Sequence, residues 1–90
     1  MLKQVPVKNP DVVWRDLEGE GVLLNPVDGK YFGLNAVGLS VWDRMDGKCT
    51  LEKIVTLLLE EYEVERPVLE KDIVELASQM AAGGLITFID

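Results

Sequence analysis

The sequence predicts an α+β fold: a short three-stranded antiparallel sheet in the N-terminal part, followed by three helices. Three observations carry this expectation. Residues 12–34 hold runs of β-branched and aromatic residues with two-residue alternation, and Asp28-Gly29 separates two of them. From Asn35 onward apolar residues recur at three- and four-residue spacing in three separate stretches, each marked by capping or stop signals. The chain has 90 residues, 48 % apolar and 28 % charged, the balance of one globular domain around one core.

Each element has a local reason. Residues 1–11 contain Pro6, Asn9 and Pro10 without sustained periodicity and read as an extended, partly mobile lead-in, with order beginning near Val12. In Val12-Val13-Trp14-Arg15-Asp16-Leu17, alternate residues point to opposite faces of a strand. Glu18-Gly19-Glu20-Gly21 reads as a turn. Gly21 to Asn25 is the second strand, and Asp28-Gly29 supplies the positive φ of a tight hairpin turn into Lys30-Tyr31-Phe32-Gly33-Leu34. Three strands this short need a covering layer, which the helices provide.

Asn35 is the N-cap of the first helix, whose buried stripe is Gly38, Val41, Trp42 and Met45, with Asp46-Gly47 as its stop. Thr50 caps the second, in which Leu51, Ile54, Val55, Leu58 and Tyr62 share a face. Glu60, Glu61 and Glu63 lie near its end, where acids oppose the helix dipole. Pro67 suits a first helical position, and Leu69, Ile73, Leu76, Ala77 and Met80 form the stripe of the third helix, which ends at Gly83-Gly84. The apolar tail from Leu85 to Ile89 is expected to pack or to pair as a short C-terminal strand, within the chain or with a partner chain.

Composition excludes whole classes of chemistry. There is no histidine, which removes the commonest general base and the commonest transition-metal ligand. A single cysteine, Cys49, forms no internal disulfide, and no secretory signal opens the chain, so a cytoplasmic protein is expected. No apolar run approaches the ~20 residues of a membrane helix, and no membrane partner is expected. The net charge is −7, and from residue 50 onward three cations face nine acids, so the C-terminal half is the acidic half. Phosphate neutralisation needs Lys and Arg along a recognition helix, where this chain offers Glu70, Lys71, Asp72 and Glu75. The strand-then-helices order makes a winged-helix DNA-binding regulator the alternative reading, and that charge disfavours nucleic acid.

Other candidate chemistry yields to simpler readings. Trp14, Tyr31, Phe32 and Trp42 could form a stacking platform, but a small domain needs its aromatics for core packing, which is the favoured reading. Glu18 and Glu20 flank a glycine without a nucleophile or desolvating pocket and read as a solvated turn. Cys49 has neither a partner base nor a second cysteine and reads as incidental. No catalytic group, metal site or cofactor emerges, and the expectation is a non-catalytic binding domain. In a meander the Lys30–Leu34 strand leaves one edge unpaired, a template for an incoming strand. The simpler reading is an edge blunted by Lys30 or covered by the third helix, and physics alone leaves the two level.

The residues also carry a resemblance. Val12-Val13-Trp14-Arg15, Glu18 through Asn25, Asp28-Gly29-Lys30-Tyr31-Phe32-Gly33-Leu34-Asn35, Gly38, Val41-Trp42 and Asp46-Gly47 follow one another in the order and spacing of the PqqD family. So do Thr50-Leu51, Ile54-Val55, Leu58 and Tyr62, and a third helix ending in Gly83-Gly84-Leu85-Ile86. The chain resembles that family over roughly residues 11–86. The resemblance implies a winged-helix-like RiPP recognition element over residues 12–90. Such a domain is a peptide chaperone that binds the leader of a ribosomally made precursor peptide and delivers it to a modifying enzyme, commonly a radical S-adenosylmethionine (radical SAM) protein. The implied peptide site is the edge strand Lys30, Tyr31, Phe32, Gly33 and Leu34, with Leu69, Asp72, Ile73 and Leu76 from the third helix. Thr87-Phe88-Ile89-Asp90 runs past the family pattern, and an apolar strand there gives the chain a means to swap or to form a homodimer.

Overall fold

A computed structural model describes residues 1–89; Asp90, the last residue of the expected tail, lies outside the described residues. The elements are β1 (Val5–Lys8), β2 (Val13–Leu17), β3 (Glu20–Asn25), β4 (Lys30–Leu34), α1 (Ala36–Asp43), α2 (Leu51–Leu59), α3 (Arg66–Ala82) and β5 (Ile86–Ile89). They form the expected α+β arrangement: an antiparallel β2-β3-β4 meander followed by three helices, with a separate antiparallel pair of β1 and β5.

The meander has one covered face. Gly21, Leu23 and Asn25 of β3 pair with Leu34, Phe32 and Lys30 of β4, and Leu23 and Leu34 enter the core. The β2–β3 turn is tighter than sequence reading gave it. It consists of Glu18 and Gly19 alone, with φ of 57° and 89°. Gly21 is instead a strand residue, and a Cβ there would meet Leu39 Cδ1 at 2.9 Å, so glycine lets α1 lie close against β3. Buried Asn25 ties the β3–β4 hairpin to the end of α3: its Nδ2 donates to the Gly83 carbonyl at 2.9 Å, and its Oδ1 accepts from Val27 N.

The helix caps are as the sequence predicts. Asn35 Oδ1 accepts from Gly38 N at 2.8 Å, and Thr50 Oγ1 accepts from Lys53 N at 3.1 Å. Two helix ends fall short of the sequence stripes. α1 closes at Asp43, and Met45 reaches the core from a tightened final turn in which its N–H donates to Trp42 O. α2 stops at Leu59, so Tyr62 sits in the following loop, where its hydroxyl hydrogen-bonds that of Ser40 at 3.0 Å. Glu61 beyond that end ion-pairs with Arg44. In α3 the buried stripe is Leu69, Ile73, Ala77 and Met80, while Leu76 is only half-buried.

The N-terminal segment departs most from expectation. The first strand begins at Val5: β1 pairs with β5 in the register Val5↔Ile89, Pro6↔Phe88, Val7↔Thr87 and Lys8↔Ile86, and the residues before it are tied to the start of α2 by hydrogen bonds from the Leu51 and Glu52 amides to the Gln4 and Leu2 carbonyls. The apolar C-terminal tail therefore finds its strand partner inside the same chain. Lys8 anchors this ribbon to the core, with Nζ 4.6 Å from the Trp42 ring centroid and 6.0 Å from that of Trp14. Burial against these rings pushes the Lys8 ammonium below its ordinary pKa, partly offset by Asp43 and Asp46.

Core packing claims fewer aromatics than expected. Trp42 is 1 % exposed and Phe32 is half-buried, but Trp14 is 43 % and Tyr31 73 % exposed. Tyr31 pairs with Leu24, which in turn pairs with Val13, so the three share one row on the sheet face opposite Leu23 and Leu34. All of β2 is exposed, a projecting wing beyond the helical layer.

Candidate functional site

β4 has β3 on one side only, and among the described residues no strand pairs with its other edge. That edge opens onto a cleft of about 380 Å³ between β4, the start of α1 and one face of α3. Asn35 makes the cleft by turning the chain from extended β4 directly into α1, so strand edge and helix start form two adjoining walls. Gly38 permits this bend, because a Cβ there would press on Leu34 Cδ2 at 3.2 Å and Asn35 Oδ1 at 3.3 Å. Gly33, between Phe32 and Leu34, has the opposite parity, and among the described residues nothing lies within 4 Å of where its side chain would begin, so the outer face of mid-β4 is unobstructed.

Leu34, Val41 and Ile73, all buried, form an apolar floor, and half-buried Phe32, Val37 and Leu76 stand around it. Asp72, Glu75 and Gln79 form the exposed α3 rim. The C-terminal end of α3 is fixed at the β3–β4 hairpin through Asn25 and Gly83, and a smaller hollow of about 110 Å³ there joins Lys30, Tyr31 and Phe32 to Gly83 and Leu85.

The structure thus brings six of the sequence-derived residues together in the cleft: Phe32, Gly33, Leu34, Asp72, Ile73 and Leu76. Lys30 and Tyr31 lie beside it, in the smaller hollow at the hairpin end. Leu69 belongs to the core and does not line the cleft. Sequence reading missed the contribution of α1, namely Asn35, Val37, Gly38 and Val41, and the rim residues Glu75 and Gln79. The last two were within reach, since they follow Asp72 at i+3 and i+7 on one helical face.

Glu18, Glu20 and Cys49 do not line the cleft. Glu18 occupies the exposed β2–β3 turn, away from the cleft. The Cys49 thiol donates to Asp46 Oδ2 at 3.7 Å, so its neighbour is an acid and not an activating cation. Hydrogen bonds from the Cys49 and Lys48 amides hold the Asp46 carboxyl below its ordinary pKa. Among the described residues no group of three acids or cysteines could hold a metal ion, and no helix is long and apolar enough to cross a membrane. Along α3, Arg66 is engaged by Glu70, which leaves Lys71 as the one cation of that helix without an ion pair among the described residues, beside exposed Asp72 and Glu75, a poor surface for phosphates.

The chain is similar to known proteins. A family model described as coenzyme PQQ synthesis protein D (PqqD) matches residues 20–86, which includes β3, β4 and all three helices. None of the curated proteins matches significantly. Among solved structures, the chain is similar to TbiB1 in complex with the TbiA(beta) leader peptide, with 34 % identity over 89 % of this chain and 93 % of that one and a TM-score of 0.81. It is also similar to a lasso peptide synthetase B1 complexed with its leader peptide, with 26 % identity, 91 % and 96 % coverage and a TM-score of 0.79.

Proposed function

Because the chain belongs to the PqqD family, we propose that it is a RiPP recognition element: it binds the leader of a ribosomally made precursor as a strand added to β4 and presents the precursor to a modifying enzyme. The observation that carries this reading is the unpaired edge of β4 opening onto an apolar cleft. Both solved neighbours, moreover, hold leader peptides. Main-chain hydrogen bonds to β4 supply affinity that any extended segment can use. Side chains of the added strand alternate between the cleft and the outer sheet face, and the cleft selects among them. The five residues of β4 span about 17 Å at ~3.3 Å each, so the bound core of the leader is about five to six residues long.

In this reading the domain does no chemistry. It raises the effective concentration of the precursor at an enzyme, a radical SAM protein by family precedent, through a tether and not through a reaction. The test is a titration of the 15N-labelled chain with the leader encoded beside its gene. Amide shifts are expected to concentrate on residues 30–34 and 72–79. Shifts confined to β2 or α2, or none at all, would overturn the proposal.

A further inference from the structure

Building on the leader-binding reading, we infer that the cleft selects a basic side chain, Lys or Arg, two residues away from an apolar one on the bound peptide. Of the residues lining the cleft only Asp72 and Glu75 are charged, and both are acids. Neither has an ion pair among the described residues, where the pairs are Lys3–Glu52, Arg44–Glu61 and Arg66–Glu70. Lys71 is next to Asp72 in sequence and one turn before Glu75, yet it pairs with neither. Two unneutralised carboxylates thus stand over a partly enclosed apolar floor, where a cation would be recognised more strongly than in open water.

The position of the charge follows from the packing of α3. Gly83 is held at the hairpin end of β4 by Asn25. Asp72 lies eleven residues earlier, about 16 Å along the helix at 1.5 Å per residue. β4 from Lys30 to Asn35 covers about the same distance at ~3.3 Å per residue. The acids therefore lie toward the Leu34–Asn35 end of the cleft, while neutral Gln79 lies toward Phe32. Asp72 and Leu76 are separated by about 6 Å along the helix axis, close to the spacing of residues n and n+2 of a strand, which share a face. An apolar side chain seated by Leu76 and Phe32 thus places the side chain two positions nearer Leu34 beside Asp72 and Glu75.

An immobilised set of eight-residue Ser/Thr peptides, carrying Leu-x-Leu, Leu-x-Lys, Leu-x-Gln or Leu-x-Glu in both orders, tests this with the full chain as probe. One order of the Leu/Lys pair is expected to retain three- to tenfold more protein than the matching Gln peptide, with Glu lowest. That ratio is expected to shrink between low and high salt as the charges are screened. In the Asp72→Asn/Glu75→Gln variant the Lys-to-Gln ratio is expected to fall within twofold of unity; both residues are exposed, so the core is untouched. Equal retention of Lys and Glu peptides, or a preference that survives in the variant, would overturn the inference. If Leu-x-Leu and Leu-x-Gln bind and shift the amides of residues 30–34 without any cation preference, only this inference fails. If no peptide binds, the leader-binding reading fails with it.

Discussion

Leu76→Asp lowers affinity for the leader by about a hundredfold and leaves the chain folded. Leu76 stands on α3 across the cleft from β4, half-buried before any peptide is present, so a bound strand would complete its burial. Replacing it removes an apolar contact worth roughly 1.5 kcal/mol. It also sets a carboxylate, next to two others, under a peptide that would desolvate it at a further cost of about 1–3 kcal/mol. Together these approach 3 kcal/mol, or about two decades in Kd. The isolated domain suffers less, because the aspartate of the free chain keeps contact with water. Leu76→Met, which conserves volume, is expected to bind within about threefold of the parent. Calorimetric titration distinguishes the cases, and a loss below threefold for Leu76→Asp would mean that the peptide does not lie against α3.

Trp42→Ala is expected to destabilise the fold by about 3–5 kcal/mol, against a total of roughly 5–13 kcal/mol for a domain of this length. Trp42 is 1 % exposed, on the face of α1 that meets the core, and Lys8 of β1 stacks on its ring. Truncation therefore opens a cavity and at the same time removes the ring on which Lys8 of the β1–β5 ribbon stacks. Trp42→Phe is a sharper comparison. Among the described residues the buried indole N–H has no hydrogen-bond partner, so phenylalanine forfeits volume but no hydrogen bond there and is expected to cost no more than about half as much. Urea denaturation of the three proteins checks the ranking; a phenylalanine variant as unstable as the alanine variant would show that the indole N–H is needed after all.

The parts of this molecule that were legible in its sequence are those fixed by neighbouring residues. Asp28-Gly29 marks the hairpin, Asn35 and Thr50 mark helix starts, and the stripes of α1, α2 and α3 show which residues enter the core. What was not legible depends on partners far apart along the chain. β1 has a proline and no periodicity, and it exists because Ile86–Ile89 returns to pair with it. Tyr31 looks like core material, yet its strand parity places it on the uncovered sheet face, and only the β3–β4 register reveals that.

The site divides in the same way. The β4 edge followed from a meander order, and its assignment to peptide binding came from resemblance to a family. The α3 residues were taken from a stripe that serves both core and cleft, which is why Leu69 lies in the core while Leu76 lines the cleft. Val41 was read as core alone, and Val37 lay outside the stripe read for α1. Their role as a cleft wall arises from the bend at Asn35, which no local pattern announces.

Strand addition to β4 is the central claim, and a scan of the leader by single N-methylation tests it most directly. In a peptide paired to one strand edge, alternate N–H groups point at that edge and the rest point away. Over the five or six bound residues, N-methylation is therefore expected to weaken binding by tenfold or more at every second position and by little at those between. A uniform loss across all positions, or no loss at any, would contradict the account.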